Sequence, residues 1–445
     1  MPRLLNDMPL ERANQLFLHP IHQDAYRVLV ELIVSLRQCR KYEDYYHFQQ
    51  DLLTKVLAVQ EHRAACTRAA KRLRSGKSVS ADAPALRAGD TNDAEAWELE
   101  ADVCERVDRQ LRSIADALAW RAFSYDRPVI VALSRNDPPG PMVDKEGLEA
   151  EKSFVTQSWK DESCFVLLHD LTSCLRIGDV TRFRPVGQNG YEASLHELKT
   201  DPNRKRSAQL RRQKLAEAAI RDGGPLPNNP DTRLVALDTR YKTHFKMLRN
   251  AFEMAATRGL QGLKVPGGRA LVAANLFKGY ELWPEAEFLE RTGVAHDRAC
   301  KRAGILGRGH LVTFYSNDIV ARSPTFPPWA IYPLPPVVCA GLIVDIAAYF
   351  VTISSEPLLD ALRAAGFAAK WVLPRDLPQL QPGQEILRVH NRIHATGLTS
   401  AEMSRLTLEL VDLPTWVEGI KDMFAREDIE GRPWPYFADE YKVWA

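Results

Sequence analysis

Asp179 stands at the head of an alternating apolar segment, Val180 to Phe183, and Glu197-Leu198-Lys199 closes the next one. The turn Gln188-Asn189-Gly190 between them is of the kind that joins antiparallel strands. Pairing through that turn brings Asp179 to Glu197, strand end to strand end. Residues i and i+2 of a strand share a face, so Glu197 and Lys199 point the same way. Two carboxylates and the Leu198 carbonyl then offer the hard oxygen donors that Mg²⁺ (or Mn²⁺) prefers, with water completing the shell. An ion held there deprotonates a water and stabilises a pentacoordinate phosphorane, and Lys199 orients that water or neutralises charge. The chemistry this set points to is hydrolysis of a phosphodiester.

A basic helix follows, expected over 203–221 and carrying Arg204, Lys205, Arg206, Arg211, Arg212 and Lys214. Such a charge run in isolation reads as a solvated face; beside a metal site it is equally suited to tracking a phosphate backbone. His169-Asp170-Leu171-Thr172, just upstream, is expected as a loop turn in which Asp170 caps backbone N–H groups, the alternative being a hydrogen-bond network around the metal. Other motifs carry less. His390 and His394 lie at i, i+4 without a following glutamate, in a segment not clearly helical, so no metal site is expected there, nor at His19 and His22. Gly267-Gly268 lacks the Lys-Ser/Thr of a phosphate loop, and no G-x-S-x-G elbow is present. A second E-x-K, Glu440-Tyr441-Lys442, has neither a strand pair before it nor a helix after it and reads as chance.

The elements that must position these residues follow from periodicity. Apolar residues at helical spacing predict long helices over 23–73, and Asp93 is placed to cap another reaching Phe123 after the polar linker 75–93. Pro128 to Leu133 reads as a short β-rich run. A helix over 145–159, strands at 164–169, 179–184 and 192–198, the basic helix and a fourth strand at 233–237 make a compact α/β unit with a mixed sheet. Farther on, a helix is expected over 241–258, with strands at 269–276, 310–315 and 370–374. The expected later helices cover 356–364, 400–411 and 414–424. Val337 to Ile353 is a buried strand–turn–strand or core helix, and Pro324–Pro336 a proline-rich surface segment.

The order helix–strand–strand–strand–helix–strand, with Asp179 on the second strand and Glu197-Leu198-Lys199 on the third, resembles the PD-(D/E)XK nuclease superfamily. The resemblance covers residues 141–240 of 445. It implies a restriction-endonuclease-like αβββαβ core within an α/β (α+β) protein. The motif aspartate falls on Asp179 and the E-x-K on Glu197-Leu198-Lys199. The glutamine of the following helix falls on Gln209 or Gln213, of which Gln213 is taken into the catalytic set. The acid of the first helix falls on Glu146 or Glu149, three apart on one helix face; Glu151 is expected to point elsewhere. Glycine, rather than proline, precedes Asp179. The resemblance further implies Mg²⁺-dependent hydrolysis of DNA rather than RNA, in an anti-phage or restriction effector with a helicase or sensor subunit as candidate partner. A fold kept for nucleic-acid binding or assembly without catalysis is the alternative.

Bulk composition bounds these readings. A chain of 445 residues has room for two or three domains, read here as an N-terminal helical domain (1–140), the nuclease-like core (141–240) and a C-terminal α/β domain (241–445). A formal charge of +2 makes any polyanion site a local patch rather than a global coat. Seven scattered cysteines without a C-x-x-C pair argue against a disulfide framework or a cysteine zinc site and for a reducing cytoplasm. No apolar leader or membrane-length run is evident.

Overall fold

The computed structural model describes residues 10–135, 137–186, 190–198, 207–222, 224–233, 239–317, 326–373, 384–391 and 395–425. Helices α1 (Leu10–Leu18), α2 (Pro20–Gln38), α3 (Tyr42–Arg74) and α4 (Ala94–Ala122) open the chain. The pairs Arg74–Glu98, Arg63–Glu105 and Gln60–Asp108 run in opposite senses along α3 and α4, so the two form a long antiparallel hairpin. Asp93 caps α4 as expected, its carboxylate accepting the Glu95 N–H at 2.9 Å. Pro128 to Leu133 is not a strand but part of α5 (Arg127–Leu133). The Asp126 side chain accepts the Val129 N–H and Pro128 occupies the first turn, a helix start that outweighs β-branched content in so short a run.

Next come α6 (Leu148–Glu162) and an antiparallel sheet of β1 (Phe165–Leu168), β2 (Val180–Val186) and β3 (Gly190–His196), in that order. All four β1 residues are buried, so they read as a continuous apolar run rather than an alternation. The open edge of β1 is engaged from α3: Gln49 donates to the Val166 carbonyl at 2.8 Å and accepts the Leu168 N–H at 3.0 Å. Helix α7 (Ser207–Asp222) follows, then a small hairpin of β4 (Pro225–Leu226) and β5 (Asn229–Arg233). The expected mixed sheet is not seen: every described strand pair is antiparallel, Arg233 belongs to β5, and residues 234–237 of the expected fourth strand lie outside the described residues.

The remainder is α+β. Helix α8 (Phe245–Arg258) precedes β6 (Leu260–Val265) and β7 (Arg269–Asn275); α9 (Leu276–Leu282) and α10 (Glu285–Ala303) lead to β8 (Leu311–Tyr315). Helix α11 (Pro336–Ile343) and β9 (Ala347–Ser354) complete a four-stranded antiparallel sheet in the order β6-β7-β9-β8. The run Val337–Ile353 is thus helix then strand, and Asp345, the charge that interrupts it, pairs with Arg106 at 2.5 Å. Helix α12 (Ser355–Ala364), the three-stranded sheet β10 (Ala368–Trp371), β11 (Glu385–His390) and β12 (Ala395–Thr399), and helices α13 (Ser400–Thr407) and α14 (Leu413–Ala425) finish the described chain. His390 ends a strand rather than lying on a helix.

The proline-rich segment is not a surface feature. Trp329, Ile331, Tyr332 and Leu334 are buried, and Arg37 of α2 donates to the carbonyls of Leu334 and Tyr332 at 2.9 and 2.8 Å. Prolines remove donors but leave carbonyls, and a buried guanidinium satisfies those. One contiguous apolar core runs from Leu16 to Phe424. No helix among the described residues is long and apolar enough to cross a membrane.

Candidate active site

The register of β2 and β3 pairs Val180 with His196, which sets Asp179 opposite Glu197 one step beyond the ladder. The Asp179 N–H donates to the His196 carbonyl at 3.0 Å, and Asp179 Oδ2 accepts the Leu198 N–H at 2.7 Å. The Glu197 side chain also acts on Asp179, favouring its charged form. The juxtaposition of Asp179, Glu197 and Leu198 anticipated from the hairpin is present. Lys199 lies outside the described residues, as do Arg204, Lys205 and Arg206.

The turn that delivers Asp179 is built from its neighbours. Gly178 adopts φ +79°, a left-handed conformation closed to proline, whose ring holds φ near −65°. Glycine thus shapes the entry into β2. His169 is buried, with Nδ1 3.0 Å from the Gly178 carbonyl and Nε2 2.7 Å from Thr181 Oγ1. A carbonyl only accepts, so Nδ1 carries the proton and Nε2 accepts from the threonine hydroxyl. Burial depresses this imidazole to about 4, so it is neutral near pH 7. His169 thus clamps the Gly178–Asp179 turn from both sides.

Neither Glu146 nor Glu149 faces the interior. Glu146 precedes the N-cap of α6 and is exposed, while Glu149 is 81% exposed and pairs with Lys152 at 2.7 Å. Glu151 is the buried one, on the stripe that also carries Leu148, Val155 and Ser158. Its Oε1 takes the Lys145 ammonium, and its Oε2 is buried without a hydrogen-bond partner. A signal for it exists in the sequence: Leu148 and Val155 at i−3 and i+4 of Glu151 mark the inward face.

Asp170 does not cap backbone N–H groups as expected. Its carboxylate takes Lys145 on one oxygen and Arg176, at 3.4 Å, on the other, while its carbonyl accepts from Arg112 of α4. Four residues later on α4, Asp116 Oδ1 accepts the N–H groups of Ser173 and Cys174 at 2.6 and 2.9 Å, fixing the loop between β1 and β2. The electrostatics divide the carboxylates. Burial raises Asp179, with the Asp170 charge adding to the rise against Leu198 N–H and Lys145. Burial likewise raises Glu151, assisted by Asp170 and Asp179 and opposed by Lys145. Asp170 is also pushed up by burial, but Lys145, Arg176 and Arg112 outweigh that and hold it below the ordinary range. Glu151, Asp170 and Asp179 therefore feel one another's charge, and Lys145 bridges the first two.

Gln213 does not reach these carboxylates with its amide nitrogen, which donates to the Leu195 carbonyl at 2.9 Å and to Glu217 at 3.0 Å. It braces α7 against β3. Arg211 and Lys214 are exposed and Arg212 half-buried; among the described residues none of the three has an acidic partner within ion-pair range. Gln209 is exposed on the same helix.

Neither a protein-family model, nor a curated protein, nor a solved structure matches this chain.

Proposed function

We propose that the chain is a divalent-metal-dependent nuclease acting on DNA through a restriction-endonuclease-like centre at the root of the β2–β3 hairpin. The observation that supports this most is the placement of Asp179 opposite Glu197 at the strand ends, with the buried Glu151 within electrostatic reach of Asp179. Glu151 has a buried oxygen with no partner. Acidic oxygen donors are what a hard cation selects. Asp179, Glu197 and the Leu198 carbonyl would hold Mg²⁺ or Mn²⁺, with Glu151 beside them. When bound, such an ion activates water and stabilises charge on the transferring phosphoryl group.

The chain's own groups do the rest. His169 and Gly178 hold Asp179 in place, and the Leu198 N–H orients its carboxylate. Burial of Asp179 and Glu151 raises the cost of leaving their charges uncompensated and so favours cation uptake. Lys199 is assigned the water-orienting role. Arg211, Arg212 and Lys214, with Arg204, Lys205 and Arg206, supply phosphate contacts without base preference.

One feature favours a second reading, nucleic-acid binding without cleavage: Lys145 already bridges Glu151 and Asp170 and reduces their need for a metal. Cleavage of plasmid and linear DNA in Mg²⁺, Mn²⁺, Ca²⁺ and EDTA separates the two. We expect turnover in Mg²⁺ or Mn²⁺, little in Ca²⁺, and none in EDTA. Asp179→Ala and Glu197→Ala should each lower the rate more than about 100-fold, beyond the 10–100-fold typical of groups that only orient a metal ligand. Cleavage that persists in EDTA overturns the metal mechanism, and DNA binding without cleavage in any metal selects the second reading.

A further inference from the structure

The α3–α4 hairpin brings together donors that the proposed nuclease centre does not use. His62 and Cys66 lie at i and i+4 of α3 and so share one helix face, and Glu100 of α4 is fully buried opposite them. One donor atom from each of the three lies within 4.8 Å of the others. His62 Nε2 is 2.6 Å from Glu100 Oε1. The second carboxylate oxygen accepts the Arg87 N–H at 2.8 Å and lies 3.3 Å from Nε2 of His19. His19 is itself buried, and its Nδ1 accepts the Ile21 N–H, which places the ring proton on Nε2, facing Glu100. That nitrogen nonetheless forms no complete hydrogen bond.

Among the described residues the side-chain ion-pair partners of Glu100 are two histidines, with no lysine or arginine. Burial works against its charge, yet the histidines and the Arg87 N–H hold its carboxyl down at about 2, so it is a carboxylate. Beside it, burial and the Glu100 charge push the Cys66 thiol up to about 12. A buried carboxylate facing an imidazole and a thiol is a set of donors that a cation completes.

We propose that His62, Cys66 and Glu100 bind a zinc ion, with His19 orienting Glu100 from outside the coordination shell. A nitrogen, a sulfur and an oxygen select a borderline-soft divalent ion over Mg²⁺. On binding, Cys66 releases its proton to solvent, and His62 coordinates through Nε2 as a neutral imidazole protonated on Nδ1. Glu100 coordinates through Oε1. Tetrahedral zinc holds such donors about 3.3–3.8 Å apart, so the ion separates His62 from Glu100 by about 1 Å. Three protein ligands leave a fourth position for water, and His62, 23% exposed, supplies the route of entry. Glu100 lies about 18 Å along α4 from Arg112, at 1.5 Å per residue, so this centre is distinct from the one at Asp179.

The test uses the full chain. After loading with Zn²⁺ and exchange into chelator-free buffer, elemental analysis should find about one zinc per chain, as a closed structural or catalytic site retains. The Co²⁺-loaded protein should show a thiolate-to-cobalt charge-transfer band in the near ultraviolet. Cys66→Ser should abolish the band and the retained zinc, while Cys104→Ser, which alters the neighbouring buried thiol, should keep both. Asp179→Ala and Glu197→Ala should also keep both, so failure of the nuclease reading leaves this result intact. A wild-type protein that retains no zinc and shows no charge-transfer band overturns the proposal, as does a band that survives Cys66→Ser. Should Cys66→Ser not fold, the wild-type cobalt spectrum decides alone.

Discussion

Glu149 and Glu151 are two residues apart, yet their environments are opposite, and that difference is measurable. Glu151→Gln removes a buried carboxylate beside the proposed metal and should lower cleavage about 10–100-fold, the range for groups that support metal ligands. Glu149→Gln, on the exposed face, should leave the rate within about twofold of wild type, as surface charges away from a site do. The metal-free stabilities should move the other way. A carboxyl raised in the folded state stabilises below its unfolded pKa, and that stability is lost as pH rises through the folded value. Glu151→Gln should therefore be the more heat-stable protein near pH 7 in EDTA, and a lower melting temperature for the variant would contradict the charge assignment. His169 works with the opposite sign. Its folded value near 4 lies below its ordinary 6.5, so its stability contribution is complete above pH 6.5 and lost as pH falls towards 4. The shift corresponds to a loss on the order of 2 kcal/mol between about pH 7 and pH 5, and His169→Gln should flatten the acid limb of the stability curve by that amount.

At the scale of elements, helix α7 presents Arg211 and Lys214 to solvent beside the hairpin that Gln213 braces. Replacing Arg211 and Arg212 with glutamate should weaken binding of DNA of every sequence and flatten its salt dependence. On duplex DNA the log–log slope should fall by about 0.9 for each phosphate that the helix no longer neutralises. Glu197→Ala should retain the slope and lose cleavage; fluorescence anisotropy over a salt series reads both. An unchanged slope in the double reversal would make α7 a solvated face. The elements themselves are unevenly legible. Strands β2 and β3 follow from alternation and a turn signal, and the expected boundaries fall within two residues of those found. Helix α5 is hidden because seven residues cannot display helical periodicity and its valines and isoleucine favour a strand. The burial of Trp329 to Leu334 is hidden because its cause, Arg37, lies nearly three hundred residues away. Glu151 escapes for a different reason. Acidic spacing alone selects Glu146 and Glu149, whereas the inward stripe of α6 is set by the apolar neighbours of Glu151. His62 and Cys66 share the spacing of two ligands on one helix, but their partner Glu100 is nonlocal.

Across the whole molecule, buried charges tie distant segments together. Arg127 of α5 donates to Glu409 at 2.7 Å, and both are buried; Arg106 of α4 meets Asp345 just before β9. Breaking one partner of a buried pair strands the other, so Arg127→Ala should cost about 3–5 kcal/mol in denaturant unfolding. Replacing both Arg127 and Glu409 with apolar residues of similar volume should recover most of that loss. A double variant no better than the single would show that the guanidinium acts through its stacking over Trp120 rather than through the glutamate.

The two bonds from Gln49 to β1 have a consequence for anyone who would cut this protein into pieces. With its amide on the Val166 carbonyl and the Leu168 N–H, Gln49 occupies an edge that, among the described residues, no other strand covers, and whose residues are wholly apolar. A fragment beginning near residue 141 would carry the proposed nuclease residues and lose that cover. Such a fragment should self-associate through Phe165 to Leu168, and the remedy is to express it with α3 attached rather than to change the buffer.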